Sequence, residues 1–195
     1  VSKYREQLES WLKTIDVDCK KCMDIGGSAL PVKDRVNSFK CDKYVLMDNN
    51  EEKNLSEGWV EPDIVHDLNV LDLDKVKIDL HEEFDVIFCL EVFEYIYNPS
   101  NALKAIRYFL KDDGVFYCSW PFIYPVHEPI GADRLRYTEQ GVLDLLKKAG
   151  FNKIKITPRV ATSGLKSLLA FYEAEGMHVG TNSGHIGYLT EAWKS

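Results

Sequence analysis

Apolar residues follow two rhythms along this chain. Over residues 1–15, Tyr4, Leu8, Trp11, Leu12 and Ile15 recur at helical spacing, which predicts a helix with one apolar stripe. Short continuous apolar runs come next, and these predict strands at 20–25, 44–47, 63–66, 84–90, 115–120 and 151–157. Between them the spacing returns to three and four. It predicts a short helix over 32–39 with Pro31 in its first turn, and a weak one over 71–80. A further helix over 98–110 is opened by Asn98-Pro99-Ser100, and another is capped by Thr138 and ended by Gly150. Asp112-Asp113-Gly114 reads as a turn. Residues 165–171 suit either a strand or a helix, and Gly176, Gly180, Gly184 and Gly187 loosen the C-terminal stretch.

Strands that are apolar at nearly every position and alternate with helices belong to a parallel sheet covered on both faces. The expected class is therefore α/β. At 195 residues the chain suits one domain with a real core. Its expected parts are an N-terminal helix (1–15), a ligand-binding core (20–157) and a variable C-terminal part (158–195). The chain starts at Val1 rather than methionine, as expected of a trimmed chain or a piece of a longer protein.

Composition narrows the partners. The net charge is −7, with 31 acids against 24 bases, a surface that does not favour a phosphate backbone; no nucleic-acid partner is expected. The apolar runs are short and broken by charge, so neither a membrane span nor a secretory leader is expected. Cys19 and Cys22 form a CxxC without a second pair to complete four ligands, so no metal is expected. Cys89 and Cys118 lie inside apolar runs as small core residues, which suits a reducing, cytoplasmic compartment.

Candidate chemistry gathers at the strand ends. The first strand runs through Asp24 into Gly26-Gly27-Ser28, a turn that lets a ligand approach bare backbone. Later apolar runs close on Asp48, Asp67 and Glu91. Ligands of an open parallel sheet bind beyond the carboxyl ends of its strands, so these acids form a rim around a glycine turn. A carboxylate at the end of the second strand is well placed to accept ribose hydroxyls. The turn lacks the G-x-G-x-x-G dinucleotide fingerprint and a Walker lysine. A rim of acids without phosphate donors suits a cationic nucleoside such as S-adenosylmethionine.

On these residues the chain resembles class I S-adenosylmethionine-dependent methyltransferases, particularly the small type 11-like group, over about 20–157. Met23-Asp24-Ile25-Gly26-Gly27-Ser28 resembles the first motif, with Ser28 and Leu30 standing where glycines are usual. Val45-Leu46-Met47-Asp48 is similar to the ribose-binding motif, and His66-Asp67-Leu68-Asn69 to the adenine-binding segment. Leu90-Glu91-Val92-Phe93-Glu94-Tyr95 resembles the fourth-strand signature, with Tyr95 in place of the usual histidine. The resemblance implies a Rossmann-like, doubly wound, mostly parallel seven-stranded sheet with helices on both faces. It implies S-adenosylmethionine as cofactor, held by Asp24, Gly26, Gly27, Ser28, Asp48, Asn49, Asp67, Leu68, Leu90 and Glu91.

Residues 121–138 come after the fifth strand and are expected to overhang the transferred methyl. There His127 is the candidate catalytic base, and Arg134, Arg136 and Tyr137 are candidate acceptor-binding residues. This loop resembles a subgroup linked to polysaccharide and natural-product biosynthesis, which points to a small-molecule acceptor such as a sugar or glycan precursor. Two other readings stand beside this one. A non-catalytic domain that keeps the fold for binding or assembly, as a homodimer for example, would account for Leu30 and Pro31 in the glycine turn. A nicotinamide oxidoreductase would need the fingerprint that is missing.

Overall fold

The structure is a computed structural model that describes residues 3–49, 58–70, 80–126, 131–160, 170, 173–176 and 184–194. Helix α1 (Lys3–Leu12) leads into β1 (Asp16–Ile25) and β2 (Ser38–Asp48), followed by β3 (Ile64–Val65) and β4 (Phe84–Cys89). Helix α2 (Pro99–Phe109), β5 (Leu110–Pro121), α3 (Glu139–Ala149), β6 (Lys153–Val160) and β7 (His185–Trp193) complete the order. The strands form one seven-stranded sheet in the order β3-β2-β1-β4-β5-β7-β6. β1 to β5 pair in parallel, and β7 runs antiparallel to both of its neighbours.

Pleating sends alternate residues to opposite faces, so each strand feeds two cores. Ile87 and Cys89 of β4 join a cluster with Met23, Met47, Phe116 and Trp120, which α2 and α3 complete through Leu103, Ile106, Val142 and Leu146. Val86 and Phe88 join the other cluster with Cys22 and Leu189, which α1 completes through Leu8, Trp11 and Leu12. The helix termini obey their sequence signals. Asn98 accepts the Asn101 N–H at 3.2 Å to start α2, and Thr138 accepts the Gly141 N–H at 3.2 Å to start α3. Gly150 ends α3 at φ +96°, a conformation that costs glycine little.

Several sequence expectations are corrected. In place of a helix over 32–39 there is one 3-10 turn at Val32–Asp34, because β2 already starts at Ser38. Asp112-Asp113-Gly114 lies within β5, beside a register irregularity opposite Phe84 and Val86, rather than forming a turn that precedes the strand. The resemblance implied a seventh strand, but the sequence pattern did not place it at His185–Trp193, where β7 lies. The weak helix over 71–80 falls, except for Leu80, outside the described residues, as does most of 165–171. No helix among the described residues is long and apolar enough to cross a membrane.

Candidate functional site

The carboxyl ends of β3, β2, β1 and β4 open into one cleft of about 690 Å³, counted to its open mouth. Gly26, Asp48, Asn49, Asp67, Leu68 and Glu91 all line it. Of the expected cofactor residues, these are the ones the fold brings together. Asp24, Gly27, Ser28 and Leu90 are buried and do not line it.

The glycine turn needs its glycines. Gly26 sits at φ +74° and donates its N–H to the Met47 carbonyl at 2.8 Å. A Cβ there would strike the Val92 side chain, and one at Gly27 would strike the Asp24 carboxylate. Asp24 itself is buried beneath the turn. Its Oδ2 accepts the Val32 N–H at 2.8 Å and the Tyr44 hydroxyl at 2.6 Å, so it braces the turn from below. Burial pushes its carboxyl up to about 6, although those two donors and the Arg35 charge pull it down. Ser28 donates its N–H to Asp48 Oδ2 at 3.2 Å, and its buried hydroxyl finds no partner among the described residues.

Asp48 and Asp67 are partly open to the cleft. Asp48 Oδ1 accepts the Asn49 N–H at 2.8 Å, which fixes the carboxylate at the end of β2. Asp67 Oδ1 accepts the Asn69 N–H at 2.8 Å in an Asx turn. The Asn69 side chain then ties the β3 loop to the β4 loop, donating to the Tyr95 carbonyl at 3.3 Å and accepting the Tyr97 N–H at 2.8 Å. His66, Asn69, Val92 and Tyr95 line the cleft too, although sequence reasoning gave them no site role. Their position beside assigned motif residues was the available signal.

Glu91 closes the cleft at β4. It takes φ +56°, which is unusual for a residue with a side chain. Its N–H donates to Ser119 Oγ at 2.7 Å, and that hydroxyl donates back to Glu91 Oε1 at 2.7 Å. Arg159 Nη1 donates to the same oxygen at 2.8 Å. Arg159 is wholly buried on β6, and its Nη2 donates to the Tyr4 carbonyl at 2.7 Å. Its guanidinium lies 3.2 Å from the centre of the Tyr4 ring. Sequence reasoning missed Arg159, whose one signal was a charge inside a strand.

The acceptor candidates are dispersed. Tyr137 is buried, donates its hydroxyl to the Phe93 carbonyl at 2.8 Å and packs 5.0 Å from the Trp120 ring. Arg136 is engaged with Asp133 (Nη2 to Oδ2, 2.7 Å) and with the carbonyls of Tyr124, Leu135 and Pro125, so it ties the loop together. Arg134 is exposed and reaches the Tyr95 carbonyl at 3.3 Å, at the cleft's edge. His127 lies outside the described residues.

The cysteines are free thiols. Cys19 faces Cys41 across β1 and β2, with the sulfurs 3.5 Å apart, while Cys22 is buried. Among the described residues no group of three or more His, Cys, Asp or Glu is placed to hold a metal ion.

Comparison with known proteins identifies the family and the fold. The family described as "Methyltransferase domain" matches residues 8–156. (S)-Coclaurine N-methyltransferase of Papaver somniferum is 28% identical over 134 residues, a match that covers 66% of this chain and 36% of that enzyme. The chain thus spans about a third of that relative's length. An S-adenosylmethionine-dependent methyltransferase from Mesorhizobium loti superposes with a TM-score of 0.62 at 14% identity, covering 98% of each chain. Phosphoethanolamine N-methyltransferase 2 of Haemonchus contortus, solved in complex with S-adenosyl-L-methionine, superposes with a TM-score of 0.57 at 12% identity. That match covers 96% of this chain and 52% of the other.

Proposed function

Because this chain belongs to the methyltransferase domain family, in the class I S-adenosylmethionine-dependent fold, we propose that it transfers a methyl group from S-adenosylmethionine to a small molecule, such as a sugar or glycan precursor. The observation that carries this reading is the single cleft in which Asp67, Asp48, the Gly26 turn and Glu91 succeed one another across neighbouring strand ends. The residues fit the donor. Gly26 has no Cβ to keep a ligand from the backbone, Asp48 suits ribose hydroxyls, and Asp67 suits an amino group on a base. Asp24, Gly27 and Ser28 serve the same ligand indirectly, by fixing the turn and the Asp48 carboxylate.

Such a donor supplies an electrophilic methyl: the acceptor's lone pair forms the new bond, the carbon–sulfur pair stays on sulfur, and the acceptor's proton goes to a base. The protein's share is to align the acceptor, exclude water and receive that proton. His127 is the proposed base. Arg134, exposed beside Tyr95, is the arginine placed to meet an anionic group on the acceptor, since Arg136 is taken up by Asp133. The coclaurine relative is an N-methyltransferase by name, so nitrogen acceptors belong in the same screen as sugars.

Isothermal titration with S-adenosylmethionine and S-adenosylhomocysteine tests the reading. Micromolar binding that Asp48→Ala weakens about a hundredfold, the worth of two hydrogen bonds to a charged group, is the expected result. No binding to the folded chain at millimolar ligand would reject it in favour of a non-catalytic scaffold.

A further inference from the structure

Arg159 has no part in the function proposed above, yet it is fully buried, charged and directed at a cleft residue. Burying a guanidinium costs several kcal/mol unless it is paired and hydrogen-bonded. Here the pairing is elaborate. One nitrogen holds Glu91 Oε1, another holds the Tyr4 carbonyl, and the plane lies on the Tyr4 ring. Tyr4 is itself fixed against Tyr124, their ring centres 4.3 Å apart. The Gln7 side chain pairs with both the N–H and the carbonyl of Val160, at 2.7 and 3.0 Å, which secures α1 to β6 beside the arginine. Arg159 and Tyr4 both fall outside residues 8–156, the part matched by the family. This support for Glu91 is therefore built by chain outside the shared core.

The effect on Glu91 is specific. Its Oε1 receives both Ser119 and Arg159, and among the described residues Oε2 receives no hydrogen bond. The side chain keeps 20% exposure where it lines the cleft. Strands lie about 4.8 Å apart, so the end of β4 is about 10 Å from the end of β2, where Asp48 stands. That offset suits the span from a ribose diol to the substituent on its 5′ carbon. A donor held by Asp48 would bring its sulfur towards Glu91.

We infer that Arg159 is a positioning residue. It turns the Glu91 carboxylate so that Oε2 faces the sulfonium of the methyl donor, and the site thereby favours the charged donor over its neutral thioether product. This rests on the proposed function. Positive charge leaves the sulfur during transfer, so the carboxylate serves donor capture and product release rather than the rate of the chemical step. Removing it weakens the donor and leaves the product's binding nearly unchanged.

Calorimetry of the whole chain with S-adenosylmethionine and with S-adenosylhomocysteine tests this, the readout being the ratio of the two affinities. Glu91→Gln keeps the shape and loses the charge, and it is expected to lower that ratio about tenfold. Arg159→Met is expected to lower it as much, and Arg159→Lys to restore part of it. Melting curves check that each variant folds; if Arg159→Met does not, Arg159→Lys and Glu91→Gln decide. An unchanged ratio in Glu91→Gln, or both ligands weakened equally, overturns the inference and leaves the proposed function standing. A higher ratio in Arg159→Met also overturns it, since the arginine would then merely screen the carboxylate. Wild-type chain that binds neither ligand overturns both.

Discussion

Asp24 shows how one residue's orientation decides its role. Met23 and Ile25 point into the cluster beneath α2 and α3, so the pleat turns Asp24 to the other face, under the glycine turn. The acid and the glycines were legible in the sequence, but the direction of the carboxylate was not, because an acid near a strand's end suits either a ligand or a brace. Its carboxyl, raised to about 6 from an ordinary 3.8, takes up a proton more readily in the folded chain. The stability this adds is complete below about pH 4 and is lost as the pH rises through about 6. The melting temperature of wild type relative to Asp24→Asn is therefore expected to fall between those pH values, as read by thermal scans across the range. Gly27→Ala puts a methyl against the same carboxylate. We expect it to cost about 1–3 kcal/mol in denaturant melts, and to weaken S-adenosylhomocysteine as the turn shifts.

At the level of elements, termini were easier to read than interiors. Thr138 and Gly150 bracket α3 as their types dictate, and Thr138→Ala is expected to cost about 1 kcal/mol in urea unfolding, since the Gly141 N–H loses its acceptor. β7 escaped notice because Gly184 and Gly187 read as loop. Gly187 is in the strand for a packing reason: a Cβ there would lie 2.7 Å from the Trp120 carbonyl and 2.8 Å from the Tyr4 hydroxyl. Helical spacing over 32–39 misled for the opposite reason. Val32 and Val36 are buried in the cluster with α1, but the chain there makes one turn and enters β2. Arg159 was illegible because a charge beside Pro158 in a short strand normally faces water, and its burial depends on Tyr4 and Glu91, both distant in sequence.

For the whole molecule, alternation of strands and helices predicted a parallel sheet, whereas its seven strands came from the family resemblance. The reversed strand between β5 and β6 was invisible to local pattern, because strand direction is set by connections rather than by composition. A cleft framed by loops from four strands couples ligand binding to the stability of the whole sheet. Saturating S-adenosylhomocysteine, at a hundred times its dissociation constant, is expected to add about 2.7 kcal/mol and raise the melting temperature by several degrees in a fluorescence scan. Asp48→Ala, with its hundredfold weaker binding, is expected to cut that gain to about 0.4 kcal/mol at the same ligand concentration.

The place of β7 between β5 and β6 also sets an order of assembly. A nascent chain that has emerged only as far as residue 160 can pair β3, β2, β1, β4 and β5, but β6 has no neighbour to bond and β5 presents a bare edge. Such an edge invites pairing with other chains until it is covered. The polypeptide must therefore wait for its seventh strand before the sixth can dock. Only then does Arg159 arrive beside Glu91, so a contact at the cleft's wall depends on a strand that follows it in the chain.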